Sequence, residues 1–187
     1  TVNEILESRV VNQNVFCFEN DHVSMDKILA KTILGFSNFI SKVKPDLIIV
    51  HGDRVEALAG AIVGSLNNIL VAHIEGGEKS GTIDEIIRHS VSKMSHIHFV
   101  SNKEAKNRLL QMGENKKSTF IIGSPDIDLI ESDELPSLQT VRDNYSIYFD
   151  KYSILLFHPV TTELEYFKTF AKNIVSAVIK TNTKFVV

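Results

Sequence analysis

Between residues 24 and 43 the apolar side chains fall at Met25, Ile28, Leu29, Ile33, Phe36, Phe39, Ile40 and Val43. This three-and-four spacing gathers them on one stripe of an α-helix, with Ser24 placed to cap its N-terminus. Pro45 ends the helix, because its ring removes a backbone donor and crowds the preceding turn. The run Asp46-Leu47-Ile48-Ile49-Val50 then reads as a short strand, apolar on both faces, which suits a central position in a parallel sheet. The same unit recurs: helix from about Val55 to Leu66, strand Ile69 to Ile74, helix Ile83 to about Ser95, strand Ile97 to Val100. Ser101-Asn102-Lys103-Glu104 has the form of a capping box for a further helix closed by Gly113, before a strand at Phe120 to Ile122.

Strands alternating with helices predict a doubly wound α/β domain with right-handed crossovers. Gly123-Ser124-Pro125 breaks the rhythm, and residues 132–152 are mostly polar. The expected organisation is an α/β domain over residues 1–131, a linker over 132–152 and the start of a second α/β domain over 153–187. That second unit opens with a strand at Ile154 to Phe157, a loop at His158-Pro159 and a helix from about Glu163 to Thr181. The chain begins at Thr1 without an initiator methionine and ends inside the apolar run Lys184 to Val187, so it is expected to be a piece of a longer protein.

Composition narrows the function classes. With 43% hydrophobic residues the chain can bury a core. A net charge of −3, with Lys and Arg scattered rather than striped, gives no footprint for nucleic acid or an anionic membrane surface. The single Cys17 cannot form an internal disulfide, which fits a reducing, cytoplasmic setting. No apolar run reaches the roughly 18 residues that a membrane span needs, so neither secretion nor insertion is expected. A small charged metabolite remains a plausible ligand class.

In open α/β sheets, ligands bind outside the carboxyl ends of the strands. The polar residues collect there: His51 and Asp53 after one strand, His73 and Glu75 at the end of the next, His158 after the first strand of the second unit. The loop Glu75-Gly76-Gly77-Glu78-Lys79-Ser80-Gly81 lets backbone approach a ligand closely, but its spacing fits neither dinucleotide nor P-loop fingerprints. Thr82-Ile83-Asp84-Glu85 has the capping-box pattern, leaving the Asp84 carboxylate at the second helical position, where the helix dipole favours its ionised form. Plainer readings stand beside these. Asp84 could compensate the dipole or pair with Arg88 one turn on. The pairs His51/Asp53 and His73/Glu75 could be metal ligands, although the further ligands a site requires are not specified. The glycines could serve only tight turns, and His89, His96 and His98 read as packing or surface residues.

Taken together, His51-Gly52-Asp53-Arg54, His73-Ile74-Glu75-Gly76-Gly77-Glu78, Ser80-Gly81-Thr82-Ile83-Asp84, Ile87-Arg88-His89 and His158-Pro159-Val160-Thr161-Thr162-Glu163 resemble, in order and spacing, the hydrolysing UDP-N-acetylglucosamine 2-epimerases of sialic and legionaminic acid biosynthesis. Non-hydrolysing relatives carry Thr after the Gly-Asp pair and His-Arg-Arg-Glu-Asn in place of His-Pro-Val-Thr-Thr-Glu; this chain sides with the hydrolysing branch at both places. The resemblance implies two Rossmann-like domains in a glycosyltransferase-B arrangement, of which the chain covers most of the first and the start of the second. It implies a UDP-sugar as substrate and a homo-oligomer; no metal or nicotinamide cofactor is expected, because neither a complete ligand set nor a dinucleotide loop is present. It further implies that Asp53, Glu75 and Asp84 carry proton transfers, with Asp84 the favoured C2 base. His158 would meet the UDP phosphate, and Arg54, Arg88, Gly76 and Gly77 would contact substrate or orient the acids. A glycosyltransferase of the same architecture and a catalytically silent UDP-sugar-binding domain are the rival readings.

Overall fold

A computed structural model describes residues 15–17, 20, 24–133, 135–158 and 165–187. The chain divides into two compact units, Thr1–Asp128 and Leu129–Val187. In the first, helix α1 (Met25–Val43) leads into β1 (Leu47–His51), α2 (Val55–Leu66), β2 (Leu70–Ile74), α3 (Ile83–Lys93), β3 (Ile97–Val100), α4 (Lys103–Gln111) and β4 (Thr119–Ile121). The strands form one parallel sheet in the order β1-β2-β3-β4. The chain is thus an α/β protein, as its alternating pattern predicts.

Local chemistry accounts for the element ends. Helix α1 closes on Lys44, whose left-handed backbone (φ 50°) sends its N–H to Ile40 O at 2.7 Å, and Pro45 prevents continuation. Ser24 makes no side-chain cap. At the start of α4 the cap is Asn102, whose side chain accepts from Ala105 N–H at 2.8 Å, rather than the Ser101/Glu104 box that the sequence suggests. An amide oxygen one residue nearer the helix does the same work as the expected hydroxyl.

The core lies between the sheet and helices α1 to α3. Ile48, Val50 and Val71 point into it and meet Val55, Ala61, Val63, Ile87, Val91 and Ile40, with Ile28, Leu29, Ile33, Phe36 and Phe39 of α1 packed against them. Small residues bring α2 down onto the strands. A Cβ at Gly60 would come within 2.8 Å of Val50 Cγ1, and one at Gly64 within 2.4 Å of Val71 Cγ2. A second, smaller cluster of Val100, Ala105 and Leu109 joins α4 to β3. One expectation differs: among the described residues β1 is the outer strand of the sheet, and its Ile49 is 60% exposed. An apolar pattern on both strand faces fits a central strand, but it does not say whether neighbours are present on both sides.

Helix α5 (Pro125–Ile130) spans the division between the units. The second unit contains α6 (Leu138–Asn144), capped by Ser137 Oγ on Thr140 N–H, and then β5 (Ser153–Ile154), α7 (Phe167–Lys180) and β6 (Phe185–Val186). β5 pairs parallel with β6, making a β-α-β unit in which Phe157 and Phe167 stack at 5.9 Å. The strand expected over Ile154 to Phe157 is shorter in fact and begins one residue earlier.

The packing of α2 is directly testable. Gly64→Ala should destabilise the first unit by about 1–3 kcal/mol, because the added methyl overlaps Val71 and a sheet strand cannot move aside freely. Urea unfolding of the wild type and the variant measures it, and equal midpoints would contradict this packing.

Candidate active site

Parallel pairing brings the strand ends level. His51 is paired with Ile74, and Ile74 with Phe99, so the loops after β1 and β2 leave the sheet at the same height. Two backbone bonds extend the ladder into these loops: Gly52 N–H to Ile74 O at 3.0 Å and Glu75 N–H to Phe99 O at 2.8 Å. The loops then border a cleft of about 380 Å³ lined by His51, Gly52, Asp53, Arg54, Glu75, Glu78 and Arg88.

Arg88, on α3, is the residue that joins these loops. It is 8% exposed, and its guanidinium donates to Asp53 Oδ2, to Glu78 O at 3.0 Å and to Ser80 Oγ at 3.3 Å. The alternative partner, Asp84 one turn earlier, does not take it. Asp84 is exposed at the second position of α3 and accepts from Thr82 Oγ at 3.1 Å. It borders a separate hollow of about 200 Å³ together with Asp53, Arg54 and Glu56. Asp53 therefore lines both hollows, sharing one with Glu75 and the other with Asp84. The capping box forms only in part: Glu85 reaches back past Thr82 to accept from Ser80 and Gly81 N–H, each at 2.7 Å, and these bonds hold its carboxyl below the usual range.

Glu75 is the most constrained group. Its backbone φ is +63°, in the left-handed region that a glutamate occupies only when held there. Its Oε2 lies 2.7 Å from His51 Nε2 and its Oε1 accepts from Ser124 Oγ at 2.7 Å. Burial alone would raise its pKa, but the bonds from Ser124 and His51 and the nearby Arg88 charge outweigh that, so it lies below the ordinary glutamate value. Arg54 is mostly solvated and pairs with Glu56 at 3.1 Å.

His73 has an internal role. Its ring is fully buried, with Nε2 2.9 Å from Gly52 O and Nδ1 3.0 Å from Ser92 Oγ. A carbonyl only accepts, so Nε2 carries the proton and Nδ1 accepts from the serine. Burial pushes its pKa down to about 4, which keeps the ring neutral and fixes the turn at Gly52. Both ring nitrogens are thus committed within the protein, and both Glu75 oxygens are engaged. Among the described residues no cluster of three or more His, Cys, Asp or Glu is placed to hold a metal ion.

The two loop glycines are where side chains would collide. A Cβ on Gly76 would meet His73 Nδ1 and Ser92 Oγ at 2.8 Å, and one on Gly77 would meet Ala105 O at 2.5 Å. The loop is further tied by Arg108 to Gly77 O and by Asn102 Nδ2 to Glu78 Oε1 at 2.8 Å. His98 is buried against Glu114 at 3.2 Å, and His96 Nδ1 accepts from Val71 N–H at 3.1 Å. His158 is exposed in the second unit, and the following Pro159 to Glu163 lie outside the described residues. Sequence reasoning passed over Ser124, Glu78 and Asn102. The available signal for Ser124 was that a small polar residue follows β4 at the same sheet edge.

His73 makes stability depend on pH. The unfolded ring takes a proton below about pH 6.5, whereas the folded ring resists it until about pH 4. Stability is therefore present above that window and falls as the pH drops through it, by up to about 3 kcal/mol. His73→Gln keeps a donor for Gly52 O without titrating. The difference in unfolding free energy between wild type and variant should shrink from pH 7 to pH 4, and a constant difference would contradict a neutral, buried His73.

The chain matches the family model described as UDP-N-acetylglucosamine 2-epimerase over residues 2–187. It is 49% identical over 161 residues to the "UDP-N-acetylglucosamine 2-epimerase" of Neisseria meningitidis serogroup B, covering 85% of this chain and 43% of that protein. It is 37% identical over 166 residues to the "UDP-N,N'-diacetylbacillosamine 2-epimerase (hydrolyzing)" of Legionella pneumophila, covering 88% of this chain and 44% of that protein. Among solved structures, it resembles the UDP-GlcNAc 2-epimerase of Methanocaldococcus jannaschii in complex with UDP-GlcNAc and UDP. The TM-score is 0.72 with 26% identity, over 88% of this chain and 47% of that one. The chain thus spans less than half the length of each of these relatives.

Proposed function

We propose for this chain, which belongs to the UDP-N-acetylglucosamine 2-epimerase family, a part in a hydrolysing 2-epimerase that converts UDP-N-acetylglucosamine, or a closely related UDP-2-acetamido sugar, into UDP and the free C2-epimer. A base removes the C2 proton, the C–H electrons form the C1–C2 double bond of a glycal, and the C1–O bond breaks to release UDP. Water then adds its oxygen to C1 while a proton is delivered to C2 from the opposite face.

The observation that carries this reading is the cleft at the carboxyl edge, which Asp53 and Glu75 line together with Arg54 and Arg88. Abstraction of a weakly acidic C–H needs a carboxylate that is ionised at neutral pH, and departure of a nucleoside diphosphate needs cations nearby. Asp84 is the proposed C2 base, since it is exposed at a helix N-terminus and is not committed to an arginine. Glu75 is assigned to proton delivery or to directing water. Arg88 orients Asp53, and Arg54, solvated and paired with Glu56, is assigned to meet a phosphate. His158 is assigned to the UDP phosphate by the family resemblance alone.

Arg54 in the motif and the hydrolysing activity named for the Legionella relative both favour release of UDP over release of an intact UDP-sugar. The reaction as written calls for no metal or other cofactor. The two relatives' names point to different sugars, so UDP-N-acetylglucosamine and a 2,4-diacetamido-trideoxy analogue should be tested side by side.

For the full-length protein, UDP and a free 2-epimer should accumulate together and survive exhaustive chelation. Accumulation of an intact UDP-sugar epimer would overturn the hydrolytic reading. Asp84→Asn should lower turnover roughly 100- to 10,000-fold and abolish deuterium incorporation at C2. It should leave UDP binding and Tm near wild type, because the side chain is exposed. Near-normal turnover would transfer the base role to Glu75.

A further inference from the structure

Ser124 stands directly before Pro125 and α5, where a serine commonly caps a helix with its hydroxyl. Here the helix donor Ile127 N–H goes instead to Ser124 O at 3.1 Å, and the hydroxyl proton goes to Glu75 Oε1 at 2.7 Å. The contact joins residues 49 positions apart, from the loop after β4 to the loop after β2. On the other side of the carboxylate, His51 at the end of β1 meets Oε2. Glu75 is therefore gripped by side chains from both flanking loops while its backbone is held at φ +63° and its N–H bonds Phe99 O. A glutamate free to choose its rotamer would have neither constraint.

We infer that Ser124 is a positioning residue for Glu75, holding one carboxylate oxygen so that the other stays with His51 at the wall of the cleft. The inference rests on the reading of Glu75 as a participant in proton transfer. Loss of the hydroxyl leaves the carboxylate tethered on one side only, and acid–base groups displaced by an ångström lose rate steeply. The ionisable groups around Glu75 are His51 against Oε2, Arg88 on α3, and Asp53, Arg54 and Glu78 lining the same cleft. Ser124 adds to the lowering produced by His51 and Arg88, so its removal moves the glutamate's titration upward.

The test uses the full-length enzyme with Ser124→Ala, Ser124→Thr and Glu75→Gln. Ser124→Ala should lower kcat about 10- to 100-fold with KM within about threefold of wild type, since a misplaced group costs the chemical step. The limb of its kcat profile that Glu75 sets should move to higher pH. Ser124→Thr keeps the hydroxyl and should restore both rate and profile, an outcome that a purely structural role for the serine would not produce. NMR titration of 13C-labelled glutamate should show the same upward displacement for Glu75 in Ser124→Ala, and it reads the folded protein whether or not it turns over. If Glu75→Gln abolishes turnover while Ser124→Ala keeps the wild-type rate and titration, the serine's role is overturned and the reading of Glu75 stands. If Glu75→Gln turns over normally, the reading of Glu75 fails and this inference fails with it.

Discussion

The arrangement of the sheet edge depends on one partly buried cation. Removing a guanidinium from water costs several kcal/mol unless opposite charge and acceptors replace the solvent. Arg88 meets that demand by gathering them from two loops: the Asp53 carboxylate after β1, and Glu78 O and Ser80 Oγ after β2. Either loop could take many conformations alone. Bound to the same planar donor, they are fixed against each other and against α3. Asp53 remains about a third exposed, so one cation settles its position without withdrawing it from the cleft.

Beneath this ion pair lies a neutral anchor. His73 is buried and unprotonated, and it ties the Gly52 carbonyl to Ser92 on α3. Gly76 packs over its ring with no room for a side chain. The loop therefore leaves β2 in a direction set by the histidine, and Glu75, the first residue after the strand, absorbs the bend in a left-handed conformation. Such a backbone costs on the order of 1–3 kcal/mol and persists only where the surroundings hold it. Here they do: a ladder hydrogen bond on one side and two side-chain contacts on the carboxylate.

These constraints explain why a family defined by sugar-nucleotide chemistry reuses an ordinary parallel sheet. The sheet aligns the loop origins through its register, and α2 supports them from below through a glycine-lined contact with β1 and β2. The side chains that line the cleft take their spacing from that register. Asp53 lies between the hollow containing Glu75 and the hollow containing Asp84.

What the sequence by itself determined follows from local periodicity. The spacing of apolar residues and the positions of Pro45, Gly113 and the cap residues placed α2 and β3 to the residue and the other main elements of the first unit within a residue or two. They also set Asp53, Glu75 and Asp84 at strand ends and at a helix start. These features depend on neighbours within one or two turns of chain, which a sequence displays. Which side chains pair across the fold was decided only in three dimensions. Asp84 and Arg88 stand at ideal helix spacing, yet Arg88 turns to Asp53, 35 positions earlier. His73 sits beside a candidate acid in sequence, yet its ring points inward. Ser124 reads as part of a chain break, yet its hydroxyl meets Glu75. A side chain's partner is set by competition among all groups brought within reach by packing, and sequence distance carries little information about that competition.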